Sequence, residues 1–195
     1  TGAIGLIRPL VDAGLMGPDH PVTINAVSGY SGGGKSMINE HETTHGPAFE
    51  LYGLKLEHKH VPEIQQYGGL GVRPIFVPSV GHFRQGMLVS IPLHLDTLPG
   101  KPTGADLLAA LQARYAGCDL VRVIDPQADG KLEPEDLNNT DRLELVVHAN
   151  EARRQAVLVA RLDNLGKGAS GAAVQNIHLM LGLHTGTGPW VAGNA

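Results

Sequence analysis

A glycine-rich segment directly after an apolar stretch is the feature that most limits how this chain can fold. Residues 22–27 have the composition of a buried strand, and residues 29–36 follow with four glycines and a lysine. Glycine permits tight turns, and backbone N–H groups at a helix N-terminus can hold an anion. The sequence therefore predicts a strand, an anion-binding turn and a short helix over residues 36–42, ended by Gly46 and Pro47.

Two motifs of unrelated enzymes overlap in this region. Residues 29–36 match the phosphate loop of nucleotide hydrolases, G-x-x-x-x-G-K-[ST], and residues 41–45 match the zinc-protease helix, H-E-x-x-H. A phosphate loop is followed by a longer helix than Gly46 allows. The zinc pair needs a helix that continues through Thr43 and Thr44, and the zinc ion also needs a third ligand. We interpret both matches as accidental. A glycine-rich turn and solvated histidines are the plain alternatives.

Composition excludes several classes of protein. The 195 residues include 42% hydrophobic ones, enough for one core, and predict a single domain over residues 1–195. A net charge of −4 with scattered basic residues predicts no nucleic-acid partner. No apolar run approaches the roughly 20 residues of a membrane span, and the first residues do not resemble a signal peptide. The single cysteine excludes an internal disulfide and makes the cytoplasm the expected compartment.

That cysteine, Cys118, stands in a predicted helix-to-strand turn. Asp119 follows it, and no basic residue is adjacent in the sequence. A neighbouring carboxylate disfavours the thiolate, which is the reactive form. We therefore interpret Cys118 as a structural thiol and not as a nucleophile.

Hydrophobic periodicity predicts an α+β fold. Helices are predicted over residues 1–16 (with a kink or break at Pro9), 62–67, 103–115 (with a capping box) and 168–183. Strands are predicted over residues 52–60, 75–77, 87–95 and 120–124, and residues 142–149 and 155–162 form an antiparallel hairpin. Antiparallel strands with helices set apart favour a mixed, largely antiparallel sheet with helices packed on it.

Two further segments carry chemistry. On a strand His58 and His60 share a face, and Glu63 on the next helix can orient an imidazole. A polar strand end in water is the alternative, and a metal pair there lacks a third partner. Residues 163–176 place glycines and a lysine at the start of an apolar helix, which suits an approaching anion or cofactor, or close helix packing.

Four ordered segments resemble the N-acetyl-gamma-glutamyl-phosphate reductase family in its shorter, glycine-rich subtype. They are residues 27–35, 58–64, 76–79 followed by 84–87, and 163–176. The resemblance implies the catalytic and dimerisation half of such an enzyme, with the C-terminal catalytic domain typical of the glyceraldehyde-3-phosphate-dehydrogenase-like group. It implies a nucleophilic cysteine three residues upstream of Thr1, absent from the chain. An NADP-binding Rossmann half would precede it, and helix 168–183 would pack toward that half.

The resemblance also implies a reaction and a set of roles. A cysteine thiolate attacks N-acetyl-gamma-glutamyl phosphate, phosphate leaves, and NADPH reduces the thioester to the semialdehyde, a step of arginine biosynthesis. His58 is expected to be the acid/base, with His60 and Glu63 supporting it. The expected substrate-binding residues are Ser28, Gly29, Ser31, Gly32, Gly33, Lys35 and Arg84. The expected NADP(H)-binding residues are Asn164, Gly166, Lys167 and Gly168.

Partners follow from the same resemblance. They are a small acyl phosphate and a second copy of the chain, as a homodimer or homotetramer, with no metal and no membrane. The chain alone is expected to be inactive without the missing half. A stand-alone phosphate- or nucleotide-binding module, or a phosphate-loop hydrolase using residues 29–36, is the alternative from a different class. The relative roles of His58 and His60 and the substrate within the acyl-phosphate group stay open.

Overall fold

Seven strands form one mixed sheet within residues 1–183, the part of the chain that the computed structural model describes. The strands are β1 Thr23–Gly29, β2 Phe49–Leu51, β3 Ile75–Gly81, β4 Met87–His94, β5 Val121–Ile124, β6 Leu143–Asn150 and β7 Gln155–Leu162. The α-helices are α1 Gly2–Asp12, α2 Gly34–Thr44, α3 Val61–Gly68, α4 Gly104–Arg114 and α5 Gly171–Met180. No helix of this part is long and apolar enough to cross a membrane.

The sheet runs in the order β2-β3-β1-β4-β7-β6-β5. The pairs β1–β3 and β5–β6 are parallel, and the other pairs of the described sheet are antiparallel. The predicted α+β fold with a largely antiparallel sheet is confirmed, as is the β6–β7 hairpin. The predicted capping box is also present, because Thr103 Oγ1 accepts from the Asp106 amide and Asp106 Oδ2 accepts from the Thr103 amide.

One face of the sheet carries the core. Strand residues such as Ile24, Ile91 and Leu158 are fully buried there against Leu6 of α1 and Leu107 of α4. Burying one such aliphatic side chain contributes about 1.5–3 kcal/mol. The opposite face is partly open. It carries a shallow groove of about 650 Å³, which we call the open-face groove, lined by side chains including Val27, Val77, Leu88, Val157 and Val159.

Helix α1 continues through Pro9, so the chain does not break there, and it ends at Asp12 instead of residue 16. Proline lacks the N–H that would donate to the carbonyl four residues earlier, which is that of Gly5. The hydroxyl of Tyr115 donates to this carbonyl at 2.8 Å. The side chain of Tyr115, at the C-terminus of α4, thus replaces the missing backbone donor.

Replacing Tyr115 by phenylalanine is expected to lower the free energy of unfolding by about 1–2 kcal/mol, because the Gly5 carbonyl loses its donor. Burial raises the pKa of Tyr115 to about 12, so its hydroxyl stays a donor at neutral pH. Urea denaturation of the chain measures the change. Tyr67→Phe, at an exposed site on α3, is the matched control and should be silent. Equal stabilities of the two variants would contradict the role given to Tyr115.

The predicted strand over residues 52–60 is wrong. Strand β2 ends at Leu51, and Gly53 and Leu56 follow with φ angles of 63° and 60°. Left-handed backbone at these positions is incompatible with an extended strand. A turn bond from the Leu56 amide to the Gly53 carbonyl closes this segment, which leaves the sheet before α3 begins. His58 and His60 therefore do not share a strand face.

Helix α2 is longer than predicted, since it begins at Gly34 and continues to Thr44. The Thr43 and Thr44 hydroxyls donate to backbone carbonyls four residues earlier, at 2.6 and 2.8 Å. This back-bonding lets two β-branched residues stay helical. The helix ends at His45, whose φ of 56° is left-handed.

Candidate functional site

One end of the sheet gathers most of the predicted site residues. Strands β1 and β3 end there at Gly29 and Gly81, which pair with each other. Strand β4 begins there at Met87, and β7 ends there at Leu162, which pairs with Met87. The glycine-rich segment, the turn over residues 82–86 and the segment after β7 therefore leave the sheet side by side.

The first part of the glycine-rich segment is bound to that turn. The amides of residues 29–31 donate to the carbonyls of Gly86, Phe83 and Arg84 at 2.9, 2.9 and 3.0 Å. A phosphate loop needs such amides free to hold phosphate. These amides are engaged within the protein, which argues against a nucleotide hydrolase. Residues 32–36 stay exposed at the N-terminus of α2, where the Gly34 amide donates to the Ser31 carbonyl and the other amides of the first turn can receive an anion.

Two exposed cations lie beside α2, Lys35 in its first turn and Arg84 next to Glu42, two turns further along. Arg84 has 63% of its side chain exposed, and its Nε lies 3.7 Å from Glu42 Oε1. An exposed ion pair at that distance contributes little, so it does not prevent the Arg84 guanidinium from meeting another anion. The Ser28 hydroxyl, by contrast, donates to the Gly29 carbonyl at 3.1 Å.

Asn164 joins the segment after β7 to the glycine-rich segment. Its Oδ1 accepts from the Gly86 amide at 2.8 Å, and its Nδ2 donates to Ser31 Oγ at 3.0 Å. A Cβ added to Gly32 would lie 3.6 Å from the same Nδ2 and 3.0 Å from Ser28 Oγ. One expected cofactor residue thus touches the expected substrate residues, a contact across 133 positions that the sequence did not indicate.

The other expected cofactor residues have structural partners. A Cβ on Gly166 would overlap the carbonyl oxygen of Thr140. Lys167 Nζ donates to Gln175 Oε1 at 2.8 Å. Burial lowers the pKa of Lys167, and Asp141 and Cys118 oppose that shift. A basic group therefore does lie near Cys118, although none is adjacent to it in the sequence.

His58 and His60 lie together despite the missing strand. Their ring centroids are 4.9 Å apart, and His58 Nδ1 accepts from the His60 amide at 3.2 Å. An Nδ1 that accepts this bond leaves the proton of the neutral ring on Nε2. Burial, and then the charges of His60 and Lys59, lower the pKa of His58. These causes favour the neutral form of the His58 ring.

Helix α1 packs beside α3, the helix that carries Glu63. Ala3 of α1 and Val61 of α3 are buried in the same core. Burial lowers the pKa of His60, and Glu63 opposes that shift. Gly2 packs on the sheet, where an added Cβ would lie 3.1 Å from Ala160 Cβ. The start of α1 thus meets the start of α3 on the core face.

A second group of rings contains the H-E-x-x-H histidines. His41 is buried, stacks on Tyr30 at 4.6 Å, and places its Nδ1 3.0 Å from His82 Nδ1. The ring of His45 lies 4.4 Å from that of His82. Across residues 1–183, no three or more His, Cys, Asp or Glu side chains are arranged to hold a metal. The contacts of His41 and His45 with His82 hold α2 against the 82–86 turn. The spacing of these histidines in the sequence did not indicate either contact.

The comparisons with known proteins agree on one family. A model described as the semialdehyde dehydrogenase dimerisation domain matches residues 1–164. The chain is 52% identical over 188 residues to N-acetyl-gamma-glutamyl-phosphate reductase 2 of Pseudomonas putida and 53% identical over 190 residues to the reductase of Brucella ovis. These matches cover 93% of this chain but 60% and 61% of the relatives, so the chain spans about three fifths of their length.

Solved structures show the same architecture. Aspartate semialdehyde dehydrogenase II of Vibrio cholerae matches with a TM-score of 0.66 at 18% identity, over 91% of this chain and 58% of that one. The aspartate semialdehyde dehydrogenase of Francisella tularensis matches with a TM-score of 0.68 at 12% identity, over 92% and 62%. At such identities the likeness shows the fold alone, and it agrees with the predicted α+β fold.

Proposed function

Because this chain belongs to the semialdehyde dehydrogenase dimerisation-domain family, we propose that it is the catalytic and dimerisation part of a longer N-acetyl-gamma-glutamyl-phosphate reductase. The main support is the identity of 52–53% to such reductases over 93% of this chain. By the family resemblance, the nucleophilic cysteine lies three residues before Thr1 in the full-length protein, just ahead of α1, which packs beside α3.

The proposed reaction divides one reduction into two steps. The cysteine thiolate attacks the acyl carbon of N-acetyl-gamma-glutamyl phosphate, the bond to the phosphate oxygen breaks, and inorganic phosphate leaves. NADPH, when bound, supplies the hydride that converts the thioester to a thiohemiacetal. Cleavage of the carbon–sulfur bond then regenerates the thiol and releases N-acetyl-glutamate 5-semialdehyde.

His58 is the proposed acid/base of this reaction. Its Nε2 hydrogen can bond to the thiohemiacetal oxygen, where negative charge develops, and in the imidazolium form of the ring this hydrogen is the proton transferred. His60 supports it, because the backbone amide of His60 holds Nδ1 of His58. Glu63 supports the pair electrostatically by raising the pKa of His60.

The proposed phosphate subsite is the N-terminus of α2. Gly32 and Gly33 leave the backbone accessible there, Lys35 adds a charge, and the helix dipole favours an anion. Arg84 supplies a planar guanidinium from the neighbouring turn. Ser28, Gly29 and Ser31 fix the shape of this subsite. They do so without donating their backbone amides to the phosphate, since the Gly29 and Ser31 amides already donate to the 82–86 turn.

The residues after β7 fit a nicotinamide cofactor in part. Asn164 Nδ2 carries a second hydrogen beyond the one given to Ser31, and amide groups pair readily with a carboxamide. Gly166 and Gly168 keep the chain close to the sheet at this point. We therefore propose that Asn164 and the 166–168 backbone hold NADP(H), with Lys167 supporting the helix through Gln175.

The proposed partners explain two apolar surfaces. The open-face groove is lined mostly by aliphatic side chains, as suits a face covered by a second copy of a dimerisation domain. On α5, Val174, Ile177 and Met180 are exposed, Met180 to 85%. We propose that α5 packs on the NADP-binding half that precedes Thr1. The cytoplasm is the proposed location, since one cysteine suits a reducing compartment.

A reductase assay on the full-length protein tests the proposal. It should reduce N-acetyl-gamma-glutamyl phosphate at the expense of NADPH, whereas residues 1–195 alone should be inactive for want of the nucleophile. Replacing the upstream cysteine by serine should abolish turnover, and Cys118→Ser, the matched control, should leave kcat within about twofold. A loss of about 10²-fold in Cys118→Ser would assign the nucleophile to Cys118 and contradict the proposal.

A further inference from the structure

A buried carboxylate stands between the two proposed ligand subsites without belonging to either. The Asp163 side chain ends strand β7, and the residue is 1% exposed. Its Oδ2 accepts from Gln85 Nε2 at 2.6 Å and from the Asn139 amide at 2.8 Å, and its Oδ1 accepts from the Leu165 amide at 2.8 Å. Three neutral donors from three segments therefore converge on one charged acceptor.

Each donor belongs to a segment that carries a proposed role. Gln85 follows Arg84 directly, so its bond to Asp163 fixes the turn that presents the guanidinium. Leu165 follows Asn164, so its amide fixes the segment that presents the Asn164 side chain. The Asp163 carbonyl also accepts from the Gly168 amide at 2.8 Å, which closes the segment onto itself.

The charge of Asp163 matters for this arrangement. Hydrogen bonds to an ionised acceptor are about twice as strong as neutral ones, and a buried carboxylate without donors is costly. A carboxylate can accept all three bonds, whereas a carboxamide must turn an NH₂ group toward one of the donors. An aspartate-to-asparagine change therefore breaks at least one of the three bonds with little change in volume.

We propose that Asp163 is a positioning residue that sets the distance between the Arg84 turn and Asn164, and hence between the acyl phosphate and the cofactor. The identity of these two ligands rests on the proposed function, whereas the convergence of the three segments does not. Asp163 itself touches neither ligand in this scheme. Its effect is exerted through Gln85 on one side and Leu165 on the other.

Three variants of the full-length protein test this role. Asp163→Asn should raise both the KM for the acyl phosphate and the Kd for NADPH, each by about tenfold. Gln85→Ala removes the bond to the turn alone, so it should raise the KM by a similar factor and leave the Kd for NADPH within about twofold. Asp106→Asn, which weakens the distant capping box of α4, should lower Tm and change neither constant.

Amide hydrogen exchange separates this inference from the proposed function. In Asp163→Asn at least one of the Leu165 and Asn139 amides, both donors to the carboxylate, should exchange at least about tenfold faster, whatever reaction the protein catalyses. Wild-type protein without reductase activity would defeat the proposed function and leave this result standing. Unchanged exchange at both amides, or a lower Tm with unchanged KM and Kd, would show that Asp163 only stabilises the fold. Should Asp163→Asn fail to fold, the split between KM and Kd in Gln85→Ala still decides.

Discussion

Replacing His58 by asparagine in the full-length enzyme is expected to lower kcat by about 10²- to 10⁴-fold, the usual contribution of a positioned acid or base. The fold and the KM should change little, because His58 is only partly buried and its Nδ1 bond to the backbone is a single contact. Asparagine keeps a hydrogen-bond donor near the same place but cannot exchange a proton. Steady-state kinetics and a thermal melt measure the two effects.

The pH profile gives an independent check on His58. Burial and the charges of His60 and Lys59 lower the pKa of His58, so the ring is neutral above a pKa that lies below its usual value. The limb of the wild-type pH–rate profile that His58 sets should fall in that range and should vanish in His58→Asn. His60→Asn keeps the backbone amide that holds His58, so its cost should be smaller. If His60→Asn is the more damaging change, the assignment between the two histidines is wrong while the family membership stands.

Replacing Gly29 by alanine is expected to lower the free energy of unfolding by about 1–3 kcal/mol and to reduce kcat/KM by at least about tenfold. The added Cβ would lie 2.5 Å from the Gln85 amide nitrogen and 2.6 Å from the carbonyl of Arg84. These are backbone atoms, so no side chain can move aside. The strand end must separate from the turn, which strains the amide bonds of residues 29–31 and displaces Arg84.

A matched glycine separates crowding from backbone strain. Gly29 has a φ of −61°, which suits any residue, so the expected effect of Gly29→Ala is purely steric. Gly14 has a φ of 70° and nothing within 4 Å of an added Cβ, so Gly14→Ala introduces strain without crowding. Gly14→Ala should cost about 1 kcal/mol and leave kcat/KM unchanged. A Gly29→Ala enzyme with wild-type kcat/KM would show that the turn does not have to stay in contact with β1.

Local signals account for the elements that the sequence predicted well. The capping box at Thr103, the β6–β7 hairpin and the helical stretch after Pro62 each depend on residues within a few positions of one another. The same holds for the strand before the glycines. Side-chain periodicity and capping chemistry act over one or two turns, so they can be interpreted without knowing the rest of the chain.

The wrong predictions concern segments whose conformation depends on a distant residue or on left-handed backbone at a residue other than glycine. Alternating side chains over residues 52–60 favoured a strand, but Leu56 adopts positive φ, which no local pattern indicates. Pro9 predicted a kink or a break, and only the hydrogen bond from the Tyr115 hydroxyl to the Gly5 carbonyl shows why α1 continues through it. The donor lies 110 positions from its acceptor, beyond the reach of any periodicity.

The sequence by itself determined the fold class, the family resemblance and the residue types of the site, because ordered motifs and local hydrophobic patterns survive without tertiary contacts. Only the tertiary structure decided which of those residues meet. It engaged the amides of residues 29–31 with the 83–86 turn, paired His41 with His82, and placed Asp163 between Gln85 and Leu165. The bonds to the 82–86 turn, the His41–His82 contact and the Gln85–Asp163 bond join residues 41 to 78 positions apart. The pairing register of β4 with β7 brings the segments around Gln85 and Asp163 to the same end of the sheet.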